Sequence, residues 1–347
     1  MDAKRSIADN LLSWYDQHRR ALPWRALPGE AADPYRVWLS EVMLQQITVA
    51  TVRPRFEAWV ARWPDVASLA AADEADVMAA WAGLGYYARA RNLVRAAQAI
   101  AAEHDGRLPD TEAALLGLPG LGTYTAAAVA AIAFGRRAVV IDANVERVVA
   151  RLFRAAGKAA VRAAADLVTP DERAGDFAQA MMDLGSAICS PKRPKCLLCP
   201  LAGDCAAHAA GDEEAFPVKA AKKVRPQRYG TIFWLERKGV GRREVLLVRR
   251  PAKGLLGGMR ALPTGPWNGT QPMLADAPAP AEWAMLNQIV THGFTHFTLE
   301  LALAIGRWDE HSSLAEGEWW PVHELSSAGL PTVFAKAARA IGGMRCG

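Results

Sequence analysis

The chain has 347 residues, 51% of them hydrophobic and 22% charged, a balance that builds packed cores and excludes a largely disordered chain. At about 100–200 residues per domain, the length suits two domains. No run approaches the ~18 consecutive apolar residues of a membrane helix, and a formal net charge of +5 hints mildly at a polyanionic partner.

Residues 1–215 read as almost wholly helical, with Ala-rich amphipathic stretches punctuated by Gly and Pro. The pattern predicts helices over 6–19, 34–45, 48–62, 74–81, 88–104, 111–116, 123–134, 142–155 and 175–188. Asp33 caps the second of these and Pro34 fits its first turn. The stretch Pro217–Arg228 carries five Lys/Arg and no acid; it reads as a basic linker running along phosphates or as a solvated hinge. From Tyr229 the texture changes, with strands expected over 229–236, 245–250 and 298–305 and helices over 281–289 and 331–341. That is a smaller α+β domain.

Four features carry chemistry. Glu41, in VWLSEVMLQQ, stands among apolar neighbours. A carboxyl there is costly unless paired or protonated, and burial raises its pKa toward the range of a general acid; the other reading is a solvent-facing Glu. Helical spacing puts Gln45 near the same face. In LGLPGLGTYTA, the core Leu118-Pro119-Gly120-Leu121-Gly122 lies between two predicted helices, where glycines permit a tight turn and the next helix offers unpaired amides to an anion. In VVIDANVERV an apolar run ends at Asp142, which begins a helix. Such an Asp caps a helix, and the same carboxylate suits a cationic sugar beside it, with Asn144 placed to orient the sugar or an attacking water. Finally, four of five cysteines, Cys189, Cys196, Cys199 and Cys205, are spaced C-x6-C-x2-C-x5-C. Four thiolates suit zinc or an iron–sulfur cluster, and the long first gap departs from paired C-x2-C zinc motifs. The intervening SPKRPKCLLCP is basic and suits DNA phosphate; Cys346 reads as a free thiol.

The hairpin and cysteine spacing resemble the helix-hairpin-helix DNA glycosylase superfamily and its [4Fe–4S] loop. Within it, LPWR (22–25), PYRVWLSEVMLQQ (34–46), GLGYYARARNL (83–93), LPGLG-TYTA (118–126), IDANVERV (141–148), QAMMDLG (179–185) and the four cysteines look like the MutY family, which removes adenine mispaired with 8-oxoguanine. The resemblance implies an all-α helix-hairpin-helix domain at 1–215 with its iron–sulfur loop at 189–205, a basic linker at 216–228, and an α+β MutT/Nudix-like domain at 229–347. It implies that Glu41 protonates adenine at N7 and then helps activate water, and that Asp142 stabilises the cationic sugar. Trp24, Arg25 and Gln45 border the base pocket, while Gln46 and Tyr86 fill or wedge the duplex; for Trp24 and Tyr86 the alternative is core packing. Leu118, Gly120 and Gly122 form the phosphate-gripping hairpin, with a bound monovalent cation. No Mg²⁺ is needed for the chemistry.

Endonuclease III-like glycosylase/lyases place a lysine where this chain has Tyr124. A phenol cannot form the imine such chemistry needs, so the expectation is a monofunctional enzyme with Tyr124 hydrogen-bonded in the site. A non-catalytic iron–sulfur DNA-binding protein is the third reading, and retention of Glu41 and Asp142 argues against it. In the second domain RRPAKGLLGGMRALP (249–263) resembles the start of a MutT-like fold, but residues 264–290 offer only Asp276 and Glu282 as acids. No magnesium-binding glutamate box follows, which implies a reader rather than a hydrolase. The family's H-x-F-S-H lesion-reading loop corresponds to His292, Gly293, Phe294, Thr295 and His296, with Thr in place of Ser. The partner expected is double-stranded DNA with 8-oxoguanine:adenine or guanine:adenine mispairs. A monomer is expected, without a signal peptide, in the cytoplasm and on the nucleoid if the cell is bacterial.

Overall fold

A computed structural model describes residues 3–81, 83–218, 224–239, 241–251, 254–268, 274–294, 296–309, 314 and 316–343. Two compact units divide the chain, Met1–Ala220 and Ala221–Gly347. Among the described residues no helix is long and apolar enough to cross a membrane.

The first unit is helical: α1 (Ala3–His18), α2 (Pro34–Met43), α3 (Val49–Arg62), α4 (Val66–Ala70), α5 (Glu74–Ala80), α6 (Ala88–Glu103), α7 (Glu112–Leu116), α8 (Thr123–Phe134), α9 (Ala143–Leu152), α10 (Lys158–Val168), α11 (Ala174–Ala187) and α12 (Ala206–Ala210). Asp33 caps α2 by accepting the Tyr35 amide at 2.9 Å, with Pro34 opening the helix. The sequence did not signal α4, α10 or α12. The five residues of α4 are too few to show a period, and it forms because Asp65 and Ser68 close a reciprocal capping box.

Two apolar cores hold this unit. One gathers Trp38, Leu39 and Met43 of α2, Val52 and Phe56 of α3, Leu93 and Ile100 of α6 and the alanines of α8. The other gathers Leu11 and Tyr15 of α1, Val149 and Leu152 of α9, Val161 of α10 and Leu184 of α11. α8 is buried from Thr125 to Ala131. Its small side chains let α2 and α11 lie against it, and α11 in turn packs on α9. This arrangement brings Glu41 of α2 against Tyr124 at the start of α8.

The second unit is built on a mixed sheet of β1 (Gln227–Lys238), β2 (Arg243–Arg249), β3 (Arg260–Ala261), β4 (Ala284–Gly293), β5 (Thr298–Arg307) and β6 (Glu318–Pro321), with α13 (Thr332–Gly343). The order is β3-β2-β1-β5-β4, and β6 pairs with β2. The parallel pair β1–β5 runs in register from Gln227↔Thr298 to Glu236↔Arg307. Alternation along β1 sends Ile232 and Trp234 toward a core that includes Phe334 and Ile341 of α13, and Leu235 toward Trp283, Trp308 and Trp319 on the other face.

One expectation fails here. The helix expected over 281–289 is strand β4. Its Ala, Met, Leu and Gln favour a helix locally, yet the backbone pairs antiparallel with β5 from Ala284↔Ile305 to Gly293↔Thr298, and a register shift between Met285 and Ile289 breaks the alternation. The open edge of β5 outweighs local propensity. β1 also takes in Gln227 and Arg228, the last residues of the expected linker.

The approach of α11 to α8 depends on Gly175. A Cβ there would stand 2.8 Å from the Ile132 Cα and closer still to the Ala131 carbonyl. Gly175→Ala is therefore expected to lower unfolding stability by about 1–3 kcal/mol, read by chemical denaturation of the full chain.

Candidate active site and cysteine loop

Glu41 lies on a helix whose residues from Val37 to Met43 are all buried, so the solvent-facing reading does not hold; the residue is 7% exposed. The Tyr124 hydroxyl, from the first turn of α8, donates to Glu41 Oε2 at 2.6 Å. Burial pushes the Glu41 carboxyl up to about 7; the Tyr124 bond opposes this, the negative Asp142 adds to it, and Arg25 opposes it. Burial and the adjoining Glu41 hold the Tyr124 phenol well above its ordinary range, so it remains a donor.

Asp142 caps α9. Its Oδ1 accepts the amides of Asn144 at 2.8 Å and Val145 at 2.7 Å, and its Oδ2 accepts the Asn144 side-chain amide at 2.9 Å. Asn144 Oδ1 in turn takes Arg147 Nη2 at 3.0 Å, and Arg147 Nε reaches the Cys189 carbonyl at 2.7 Å. Gly185 permits this, since a Cβ there would stand 2.6 Å from Asn144 Cβ. Asp142 is thus a helix cap, its carboxylate held by three donors.

The residues expected around the base divide into two groups. Gln45 donates to Thr125 Oγ1 at 3.3 Å, beside Tyr124. Gln46 and Tyr86 are exposed and both adopt left-handed backbone, with φ of 63° and 47°. Such strain costs on the order of 1–3 kcal/mol per residue and concentrates at ligand-gripping positions. Arg89 joins them: Nη1 donates to the Gln45 carbonyl at 2.6 Å and the Val42 carbonyl at 3.2 Å, while its guanidinium lies 4.8 Å over the Tyr86 ring. Trp24 instead sits in the core, edge-on to Phe56 at 5.2 Å. Arg25 is buried in a forked pair with Asp183, at 2.7 and 2.9 Å, and Arg20 Nε holds the same carboxylate at 2.6 Å. The sequence reading missed Asp183, Arg89 and Arg147. Asp183 carried the same signal as Glu41, an acid within an apolar run, MMDL.

The hairpin joins α7 to α8. Gly120 has φ of 77°, and a Cβ there would meet Asn92 Cβ at 2.5 Å, so both conformation and contact require glycine. Gly122 precedes α8 with no side-chain cap, and Leu118 is buried beneath it.

All four clustered cysteines line one small cavity with Arg151, His208 and Glu213. None is in a disulfide. Buried Arg151 ties the loop down, donating to Cys189 Sγ at 3.3 Å and to the carbonyls of Ser190 at 2.7 Å and Pro191 at 3.0 Å. Burial pushes the Cys196 thiol up to about 12 and the Cys199 thiol to about 11. A cation in the cavity would reverse that preference by binding thiolates. The convergent donor set fits a four-thiolate centre. The sequence reading missed His208 and Glu213.

In the second unit the Phe294 amide donates to the Phe297 carbonyl at 2.9 Å, closing the β4–β5 turn. The Phe294 ring lies 4.8 Å from Phe297, 5.7 Å from Trp267 and 4.7 Å from His292. Burial and nearby Lys336 hold the His292 imidazole below its ordinary pKa. His296 is exposed at the turn. Thr295 and Cys346 lie outside the described residues.

Residues 39–170 match the model of the HhH-GPD superfamily of base excision DNA repair proteins, and residues 233–340 match a NUDIX domain. The chain is 33% identical over 407 residues to the adenine DNA glycosylase of Homo sapiens, covering 97% of this chain and 74% of that one. It is 43% identical over 224 residues to the adenine DNA glycosylase of Mycolicibacterium smegmatis, covering 63% and 73%. Among solved structures, a thermostable thymine-DNA glycosylase superposes with a TM-score of 0.54 at 27% identity, over 60% of this chain and 97% of that one. An endonuclease III–DNA complex shares the fold at 23% identity and a TM-score of 0.50, over 61% and 99%.

Removing the charge of Asp183 leaves Arg25 buried without its counter-ion. Asp183→Asn is expected to cost about 3–5 kcal/mol of unfolding free energy, whereas an exposed pair such as Arg62–Asp76 should yield less than about 1 kcal/mol when Asp76 is changed to Asn. Paired denaturation curves check the difference.

Proposed function

The chain belongs to the adenine DNA glycosylase family, and we propose that this repair enzyme excises adenine opposite 8-oxoguanine, and opposite guanine, by monofunctional hydrolysis. The observation that carries the reading is the buried Glu41 carboxyl, poised at about 7 between the Tyr124 hydroxyl and the charge of Asp142.

Adenine is a poor leaving group as an anion. The target nucleotide first leaves the stack, with exposed Gln46 and Tyr86 entering the space it vacates. Protonated Glu41 donates to N7, so the base departs neutral. Asp142 faces the sugar cation, and its fixed rotamer keeps the charge in place without reorganisation. Ionised Glu41 then accepts a proton from the attacking water, which Asn144 helps orient. General acid catalysis supplies about 10²–10⁴-fold, so electrostatic stabilisation by Asp142 must supply much of the rest. Trp24 and Arg25 act from behind the pocket: Trp24 supports its wall, and the Asp183-held Arg25 sets a positive charge near Glu41. No amine stands at Tyr124 to form an imine with the opened sugar.

The hairpin amides at Leu118, Gly120 and Gly122, with a monovalent cation, grip a phosphate of duplex DNA. Cys189, Cys196, Cys199 and Cys205 hold a [4Fe–4S] cluster, which supplies structural cross-linking of a basic DNA-contacting loop. His292, Phe294, Thr295 and His296 recognise 8-oxoguanine from the NUDIX-like unit, which acts as a reader. The chemistry needs no magnesium. The protein works as a monomer where the genome is held, the cytoplasm in a bacterial cell.

Because the acid must carry its proton, the single-turnover rate on 8-oxoguanine:adenine duplex is expected to fall as pH rises through about 7. Glu41→Gln is expected to lower the rate by about 10²–10⁴-fold and to flatten that profile; an unchanged rate would exclude Glu41 as the acid. Strand breaks should follow only after alkali, and borohydride should trap no protein–DNA adduct. A trapped adduct would place a nucleophilic amine elsewhere in the site.

A further inference from the structure

We infer that Cys196 is the exchangeable corner of the iron–sulfur centre and that His208, held by Glu213, is its reserve iron ligand. This rests on the cluster reading above and concerns residues that the reading leaves without a role.

The four cysteines are not equivalent. Cys189, Cys199 and Cys205 pack against the apolar core of α1, α9, α10 and α11. Cys189 also receives Arg151 Nη1 on its sulfur and Arg147 Nε on its carbonyl. Cys196 is not among the residues packed on that core. It begins the short turn Cys196–Leu198, whose Leu197 and Leu198 are 95% and 68% exposed. Three corners are thus anchored by packing, and the fourth opens an exposed turn.

Beside that fourth corner stand two further donors. Cys196 Sγ lies 3.4 Å from Glu213 Oε1, and the same oxygen lies 2.7 Å from His208 Nδ1. The ligand atoms of Cys196, His208 and Glu213 all fall within 4.8 Å of one another, and all three residues line the cavity the cysteines share. At 2.7 Å from Nδ1, Glu213 Oε1 can only accept as a carboxylate oxygen, so the imidazole donates from Nδ1. That tautomer leaves a lone pair on Nε2, and a carboxylate behind an imidazole is how metal-binding histidines are oriented. Imidazole replaces thiolate on iron in known cluster types.

The exchange is a ligand substitution. The iron–sulfur bond to Cys196 breaks, the sulfur keeps its electron pair and takes a proton from water, and a bond forms from the His208 lone pair. No electron is transferred. Loss of Cys196 from the centre, by substitution or by protonation of its sulfur, therefore does not release the corner iron.

The test uses the full-length protein. Iron and sulfide content of the wild type checks the cluster reading itself: a wild type without iron would overturn that reading, and this inference with it. With iron present, wild type and His208→Ala are exposed to ferricyanide, and conversion to a three-iron centre is followed by electron paramagnetic resonance. His208→Ala is expected to convert several-fold faster; equal rates would overturn the inference. This comparison keeps all four cysteines, so it does not depend on a cysteine variant folding. As a second measure, Cys196→Ala is expected to retain more than half of the wild-type iron, and Cys189→Ala and the Cys196→Ala/His208→Ala double variant less than a tenth. Iron in soluble Cys196→Ala as low as in Cys189→Ala would equally overturn it.

Discussion

Keeping a carboxyl within a wholly buried stretch of helix is the constraint on which the candidate active site turns. Every residue of α2 from Val37 to Met43 is buried, and an ionised Glu41 there would lose its hydration without a cation in contact. The fold answers with a single neutral donor, the Tyr124 hydroxyl at 2.6 Å, and with Arg25, which acts from further away because Asp183 already claims its guanidinium. The balance leaves Glu41 near half-protonation around neutral pH, the condition under which one group can both give and take a proton. A lysine in place of Tyr124 would add a positive charge and favour the carboxylate. The phenol therefore leaves the carboxyl able to hold a proton and presents no amine at that position.

The packing that makes this possible is economical. Alanines along α8 let α2 and α11 approach, and Gly185 lets α11 approach α9 at Asn144. Asp142, Asn144, Arg147 and the Cys189 carbonyl then form one continuous set of hydrogen bonds. The helix that presents the second carboxylate and the loop that carries the cysteines are consequently fixed to the same backbone. The strained turn at Gln46 follows the C-terminal end of α2, and Arg89 braces it to Tyr86.

Much of this was legible in the sequence because the chemistry breaks local rules. Glu41 interrupts an apolar run, Asp142 ends one, and the glycines of LPGLG sit where a helix would otherwise continue. The capped helices were likewise readable from Asp33 and Pro34. What escaped depended on distant partners. Nothing near Ala284–Gly293 announces the edge of β5, and so local propensity favoured a helix. Arg89 looks like an ordinary surface charge until the carbonyls of Val42 and Gln45 are placed beneath it. Trp24 was placed at the base pocket by resemblance, and its ring packs edge-on to Phe56 in the core. His208 and Glu213 acquire meaning only once the cysteine loop folds back on them.

The central claim is that the Glu41 carboxyl titrates far above an ordinary glutamate in the free enzyme. Carbon-13 nuclear magnetic resonance of protein labelled at the glutamate carboxyl, with Glu41→Gln assigning the signal, measures this without any turnover. The account predicts a midpoint near 7 for the signal that the substitution removes. A midpoint near 4.5, the ordinary value, would mean that Glu41 is ionised at working pH and is not the acid.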